Sequence, residues 1–487
     1  MRSTRLGCLF LLLVTPLIAQ AAERWPVGDA VRAAKDISDD RGALAALRSD
    51  LAACQQSAPG ADQCLDVLLE LSATARRALE FSAAEGYARA AGMLAERTLP
   101  LGHRDIATTF DMLGMILTET GRHREGEAAY RRALAIIEAG SSSSDRDRVR
   151  ILRNLAFNID EQDRYAEAET LYLRAIELGS REPADPVDLA QSYYALAISL
   201  SRQSRYEAAE LLQGKALTLF QGTMPAGDPT ISASIANLGE NLNQQGRYAE
   251  AEPILRRAIQ MAETMLFPHD PIIAERYSML ARALAPQGKY KEAEDRLRFA
   301  LTIVEAAFPA DHPRVVGVTV DLANVLVRVK RWDEAASLYR QAIRTYEANR
   351  GSPTSLAASY AGMATLLESR GCLSEAAGLR RKAVAIFDQT VPPSHPWRIN
   401  ARWHLAETLR RQSAGSAELP RLYRAAADGV RARMAGFVGF SRAAQTEMRQ
   451  FSVIFASQVK AAWSVGQGTG KALTAPTQCS LPPPPQP

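Results

Sequence analysis

Six histidines, five cysteines and one glycine-rich segment ending in lysine are the residues of this chain whose types could do chemistry. Histidine ligates metals and moves protons near neutral pH, but a zinc site needs three or four ligands around one point. His103, His123, His269, His312, His395 and His404 are spread over some 300 residues, and three of them stand at equivalent junctions of a repeating pattern. They are expected to cap helices or face solvent, with no metal bound. Gly466-Gln467-Gly468-Thr469-Gly470-Lys471 invites comparison with a phosphate-binding loop. Val465 stands where the first glycine is needed, and the segment follows a helix instead of preceding one. It is expected to be a linker. No Gly-x-Ser-x-Gly nucleophile motif and no paired-histidine metalloprotease helix occurs, so the reading is a chain that is not an enzyme and carries no cofactor.

The elements that would position any site follow from a repeat. Anchors at His123, Tyr165, Tyr206, Tyr248, Tyr290, Trp332 and Leu373 are spaced 42, 41, 42, 42, 42 and 41 residues apart. Ten residues after each stands an alanine: Ala133, Ala175, Ala216, Ala258, Ala300, Ala342 and Ala383. Three after each is Gly126 or alanine. Six before lies leucine or Ile159, nine before lies glycine or alanine, and ten before lies leucine or Met363. These offsets are helical, not strand-like. The small residues let two antiparallel helices approach closely while the anchors and leucines fill the gap. A fixed period of this length marks a solenoid of identical units, none able to bury its core alone.

Turn residues agree. Asp228-Pro229 and Asp270-Pro271 place an N-cap acceptor before a proline at the first helical position, and His312-Pro313 and His395-Pro396 occupy the same junction. Gly121, Gly246, Gly288 and Gly371 fall two before their anchors, where a left-handed residue ends the first helix. Gly140 to Ser144 replaces the proline junction with a lengthened loop.

The text Gly246-Arg247-Tyr248-Ala249-Glu250-Ala251-Glu252, followed by Leu255-Arg256-Arg257-Ala258-Ile259, resembles the tetratricopeptide repeat in its long variety of about 42 residues, found in kinesin light chains and many bacterial proteins. Degenerate copies at Phe81 (with Ala84 and Ala91) and at Leu405, Ala406 and Leu409 extend it to about nine helix pairs. The resemblance implies an all-α, right-handed superhelical solenoid with a C-terminal helical cap. The expected organisation is a signal peptide (1–21), an N-terminal helical cap (22–61), the solenoid (62–412), a C-terminal helical region (413–466) and a disordered proline-rich tail (467–487).

Arg2 and Arg5, the apolar run Leu6–Ile18 and Ala19-Gln20-Ala21 have the form of a cleavable secretory signal. The run is too short to span a bilayer comfortably. Cys8 precedes the apolar run, which is not the order of a lipoprotein signal. A secreted or periplasmic protein without stable membrane insertion is expected. The formal net charge of +4, or +2 without Arg2 and Arg5, does not favour nucleic acid as a partner. Export permits disulfides. Cys54 and Cys64 flank a stretch with Pro59 and Gly60 that looks like a turn between helices, and a local disulfide is expected there. Cys372 lies in a repeat turn and Cys479 in the tail; sequence alone does not fix their connectivity.

Arrays of this kind bind partners. The resemblance implies that the first helix of each pair lines a concave groove, where Asn154 with Asn158 and Asn237 with Asn241 stand four residues apart on one helix face. Asparagine donates and accepts together, which suits holding the backbone of an extended peptide. Asn154 and Asn237 match the asparagines that contact cargo peptide in the kinesin-light-chain variety; Met112, Ala195, Met279, Asp321 and Gly362 take that position elsewhere. Arg150 and Arg282, with Glu240 and Glu275, complete a groove of mixed charge. The stretch from Leu422 to Trp463 resembles the region between repeats and a caspase-like peptidase domain in certain bacterial proteins. Only 24 residues follow Trp463, so that domain is not expected here. The function expected is an exported scaffold that binds a protein or extended peptide; the alternative is a regulatory arm for a separately encoded caspase-like peptidase.

Overall fold

The computed structural model describes residues 40–435 apart from 57–60, 79, 141–144, 182–184, 266–269, 349–351 and 414–415, and then 445, 448–449 and 451–459. The expected signal peptide, most of the expected N-terminal cap, Trp463 and the proline-rich tail lie outside the described residues. Those described are helical and contain no strand. Helix α1 (Asp40–Gln56) precedes nine antiparallel pairs: α2 (Ala61–Arg77) with α3 (Phe81–Thr98), α4 (Arg104–Glu119) with α5 (His123–Ala139), α6 (Asp145–Asp160) with α7 (Tyr165–Gly179), α8 (Pro186–Arg202) with α9 (Tyr206–Thr223), α10 (Pro229–Gln244) with α11 (Tyr248–Met265), α12 (Pro271–Leu284) with α13 (Tyr290–Ala307), α14 (Pro313–Arg328) with α15 (Trp332–Ala348), α16 (Pro353–Ser369) with α17 (Leu373–Thr390), and α18 (Pro396–Gln412) with α19 (Leu419–Met434). The pairing therefore runs to Met434, past the residue 412 at which the repeats were expected to stop.

Every anchor is the first residue of the second helix of its pair. The alanines ten residues on are sealed at 0–1% exposure, because the helices of a pair touch there and a larger side chain has no room. The residue seven after the anchor fills the centre of the pair: Tyr130, Tyr172 and Tyr339 in three copies, Leu255 and Leu297 in two others, all buried. Small residues nine before the anchor make way for them. A Cβ on Gly114 would come within 2.7 Å of the Tyr130 ring, and one on Gly239 within 2.6 Å of Leu255. Opposite Tyr172 and Tyr339 the nine-before residue is an alanine, Ala156 and Ala323, each 0% exposed.

The turn is made one way in the seven pairs whose second helix begins at an anchor. The residue two before the anchor has positive φ in all seven copies, at Gly121, Gly246, Gly288 and Gly371 as expected, and also at Asp163, Ser204 and Lys330. Glycine adopts this conformation without a Cβ clash; the other three carry the strain that closes the same turn. Six of the first helices begin at side-chain caps, whereas Ser352 before α16 makes no such bond. Asp185, Asp228 and Asp270 accept from the backbone two residues on, as do the Nδ1 atoms of His103, His312 and His395 at 3.3, 3.2 and 3.1 Å.

The described residues form two compact units, those up to 203 with 208–234, and 204–207 with those from 235 onward. In the first, Leu44, Leu47, Leu71, Leu117, Tyr130, Ile159 and Tyr172 belong to one continuous core. Cys54 and Cys64 are joined in a disulfide between α1 and α2, their Cα atoms 5.8 Å apart. In the second, segment 451–459 lays Phe451 and Ile454 on Ile399, Ala426 and Val430, forming the C-terminal cap. Phe455 packs partly against this cluster, and Val453 is 43% exposed.

Within each unit, successive second helices are tied by a repeating ion-pair ladder. The glutamate four after one anchor meets the base just before the next anchor, as in Glu85–Arg122, Glu127–Arg164 and Glu252–Lys289 at 2.6–2.7 Å, and Glu294–Arg331. An arginine eight after the anchor reaches the glutamate two after the next, as in Arg131–Glu167, Arg256–Glu292 and Arg298–Glu334 at 2.7–2.8 Å. Single exposed pairs contribute ~0.2–1 kcal/mol. A ladder in which each acid meets two bases exceeds that and orders the stacking.

Candidate functional site

The first helices carry the side chains that could meet a ligand, and the two units use them differently. In the first unit these helices bury their polar groups against one another. Asn154 donates to Asp111 Oδ1 at 2.9 Å, Arg150 lies 3.3 Å from Asp111 Oδ2 and 3.4 Å from Asp147 Oδ1, and Arg104 meets Asp147 from the preceding copy. Arg153 faces Asp188 at 3.7 Å. Burial pushes the Arg153 guanidinium down, with Asp188 opposing, and pushes the Asp188 carboxyl up, with Arg153 and Arg146 opposing.

Asn158 is 0% exposed and donates to Thr118 Oγ1 at 2.7 Å, while Gln162 donates to its Oδ1 at 3.1 Å. A Cβ on Gly126 would meet Asn158 Nδ2 at 2.8 Å and Thr118 Oγ1 at 3.0 Å. That is why this copy alone has glycine in place of alanine three after its anchor.

These contacts correct the expectation that the asparagine pairs stand open in a groove. Asn154 is 4% exposed, and Asn158, Arg150 and Asn241 are buried. Asn241 donates to the Tyr206 carbonyl at 3.1 Å and accepts from Gln245 at 3.0 Å. Asn237 is half-buried. The physical reason is the stacking period: a side chain eleven before one anchor meets the residue twelve before the preceding anchor, so the neighbouring copy covers it. Arg150, Asn154 and Asn158 belong to the first unit, and Asn237, Asn241 and Arg282 to the second.

Arg282 leads to an open site. In the second unit a cavity of about 440 Å³ lies against α12, α14, α15 and α16, with a short contribution from α13. Its polar lining is Arg282, Asp321, Asn324, Arg328 and Thr365; its apolar lining includes Ala281, Leu297, Val325 and the Tyr339 ring. Arg282 is 37% exposed and is held between Glu240 at 3.2 Å and Asp321 at 2.7 Å. Burial raises the Asp321 carboxyl, and Arg282 opposes the rise. Tyr339 donates to Oδ1 of the exposed Asn324 at 2.6 Å. Arg328 lies over the Tyr290 ring, 5.9 Å from its centroid. Gly362 makes room: a Cβ there would stand 2.6–2.7 Å from the Tyr339 ring and hydroxyl.

The pocket is built from one recurring position. Arg282, Asn324 and Thr365 each stand eight before an anchor. Along the chain that position reads Met115, Phe157, Ile198, Glu240, Arg282, Asn324 and Thr365, apolar in three copies and polar in four. This switch is legible in sequence and marks the residues that attention to the eleven-before position misses. The arrangement sets amide and guanidinium groups beside an apolar floor, with the Thr365 hydroxyl donating to the Ala361 carbonyl at 3.0 Å and accepting from Arg380 at 3.2 Å. Among the described residues, no group of three or more histidine, cysteine, aspartate or glutamate side chains is placed to hold a metal, and no helix is long and apolar enough to cross a membrane.

Residues 105–178, 147–222, 231–306 and 277–348 match the tetratricopeptide repeat family. No curated protein matches the chain in sequence. Among solved structures, the apo form of the quorum sensor NprR from B. thuringiensis is 14% identical, covering 74% of this chain and 97% of its own, with a TM-score of 0.53. A Rap protein complexed with competence and sporulation factor is 18% identical over 76% of this chain and 100% of its own, with a TM-score of 0.48. A putative kinesin light chain with TPR-like repeats from Podosopora anserina is 23% identical over 42% of this chain and 96% of its own, with a TM-score of 0.33. With helix pairs, anchors and matched residues all in one register, the repeat array of this chain belongs to the tetratricopeptide-repeat family.

Proposed function

We propose that this chain is a non-enzymatic, exported scaffold that binds a protein partner through an extended peptide segment, held at the cavity around Arg282, Asn324 and Thr365. One observation carries the reading. Polar side chains at the same position of three successive copies converge on an open cavity with an apolar floor, whereas their counterparts in the first three copies are apolar. Three polar side chains at repeat spacing fit a ligand that runs along the array, and the floor fits one apolar side chain of that ligand. The N-terminal signal pattern supports export to the periplasm or beyond, and the Cys54–Cys64 disulfide suits such an oxidising compartment.

The test is binding to a displayed library of random peptides, with affinities of selected sequences measured on the full chain and two variants. Asn324→Ala with Thr365→Ala should weaken selected peptides at least tenfold without lowering the melting temperature by more than a few degrees. Asn154→Ala should leave affinity unchanged. Retention of full affinity by the Asn324/Thr365 variant would sink the assignment of this cavity.

A further inference from the structure

The second helices carry charge at regular offsets, and one place breaks the pattern. Eight residues after the anchor stands an arginine in six copies, Arg89, Arg131, Arg256, Arg298, Arg340 and Arg381, but Leu173 and Gly214 in the two successive copies between Arg131 and Arg256. Two after the anchor, the copies from His123 onward have glutamate except for one, which has Ala208. The ion pair that would join positions 173 and 208 is therefore replaced on both sides by apolar residues. The replacement does not serve the inside of the chain. Leu173 on α7 is 52% exposed and Leu211 on α9 is 64% exposed, and a Cβ on Gly214 would meet nothing within 4 Å. Beside them Ile176, Ala208 and Leu212 pack partly against the core of the first unit.

The ion-pair ladder fixes how these side chains sit relative to one another. Arg174, nine after its anchor, meets Glu138, fifteen after the preceding one, at 2.6 Å, and Arg131, eight after, meets Glu167, two after the next, at 2.8 Å. Successive second helices are thus level at an offset of six residues. Leu173 lies level with Ala208, and Leu211 stands three residues farther along, about 4.5 Å on the helix axis and one helix spacing of about 8–10 Å across. The two exposed leucines form one apolar patch on adjacent helices, and single scattered ones would not.

We propose that this patch binds a second copy of the chain in a two-fold dimer. An axis between the leucines, with α7 of one copy antiparallel on α9 of the other, lays Leu173 on Leu211 of the second copy and Leu211 on its Leu173. Such an isologous contact requires self-complementary charge, and counting outward from the leucines supplies it. Arg174 stands one after Leu173 and Glu210 one before Leu211, so the two meet across the axis. Lys215 stands four after Leu211 and Glu169 four before Leu173, and these meet in the same way. Arg174 and Lys215 are exposed, and Lys215 lies over its own Tyr193 ring, 5.4 Å from the centroid. The like charges that this register opposes, Glu177 and Glu207, are relieved by Arg181, which holds Glu177 at 3.0 Å. Arginine at position 173, as six other copies have it, would put a charge at the centre of the contact.

Analytical ultracentrifugation of the full chain from low to high micromolar concentration tests this. The average mass should rise toward twice that of one chain. Leu173→Arg should weaken the association at least about tenfold and leave the melting temperature unchanged. A chain that stays single throughout, its patch then left to a different protein, would overturn the proposal. So would a dimer that Leu173→Arg does not weaken. The register has its own readout in the variant Leu173→Cys with Leu211→Cys, treated with a short bismaleimide and mapped by mass spectrometry. Covalent dimers should join position 173 of one chain to position 211 of the other. Dimers linked only 173 to 173, only 211 to 211, or only through the native cysteines would contradict the two-fold arrangement.

Discussion

Arg282 Nη1 lies 2.7 Å from Asp321 Oδ2, so the side chain eight before one anchor is clasped by the side chain eleven before the next. The pair forms part of the cavity wall and joins two copies. Arg282→Met keeps the stem and removes the charge, leaving Asp321 without the cation that opposes its burial. The expected cost is about 1 kcal/mol, the range for a partly exposed pair, with a further rise of the Asp321 carboxyl. Chemical denaturation with and without Asp321→Asn checks it: in the double variant most of the loss should return.

Asn154 is expected to serve stability and not recognition. It donates to Asp111, which is itself 1% exposed and shared with Arg150. Asn154→Ala removes a donor from a buried carboxylate and should destabilise by about 2 kcal/mol. Equilibrium unfolding measures the loss. An affinity change for the selected peptides larger than the stability change would contradict this assignment.

His395 predicts a pH dependence. Its Nδ1 accepts from the Trp397 amide at 3.1 Å, it is 7% exposed, and burial, with Arg433 adding to it, lowers the imidazole to about 4. The unfolded chain binds the proton near pH 6.5 while the folded chain refuses it until about pH 4. Stability is therefore fully present above pH 6.5 and falls as pH drops toward 4, by on the order of 3 kcal/mol in all. His395→Asn keeps a cap acceptor and cannot titrate. Melting temperatures of the two proteins should diverge between pH 6.5 and 4, and parallel curves would refute the effect.

Lys330 has φ of 64° at the turn position where four other copies have glycine. Lys330→Gly relieves a left-handed conformation that costs a residue with a Cβ roughly 1–2 kcal/mol. Part of that gain is lost to the greater freedom of glycine in the unfolded chain. A net stabilisation of about 0.5–1 kcal/mol is expected from the denaturation midpoint. Gly288→Ala, at φ of 79° with open space around it, should shift the midpoint the opposite way.

What the sequence determined by itself is whatever one helix pair imposes on its own residues. The anchors at Tyr165 or Trp332, the alanines ten on and the glycines two before are dictated by contacts and backbone angles inside a single 42-residue unit, so spacing alone reveals them. The caps at Asp270 and His395 are local for the same reason. Which face is open was decided only by tertiary structure, because it depends on how one copy stacks on the next. Asn154 and Asn158 have the chemistry of peptide contacts, yet Asp111 and Thr118 of the preceding copy claim their donors. Three ordinary residues, Arg282, Asn324 and Thr365, share a cavity because Gly362 leaves room for the Tyr339 ring. Burial is a property of neighbours, and in a solenoid the neighbours that matter lie a whole repeat away.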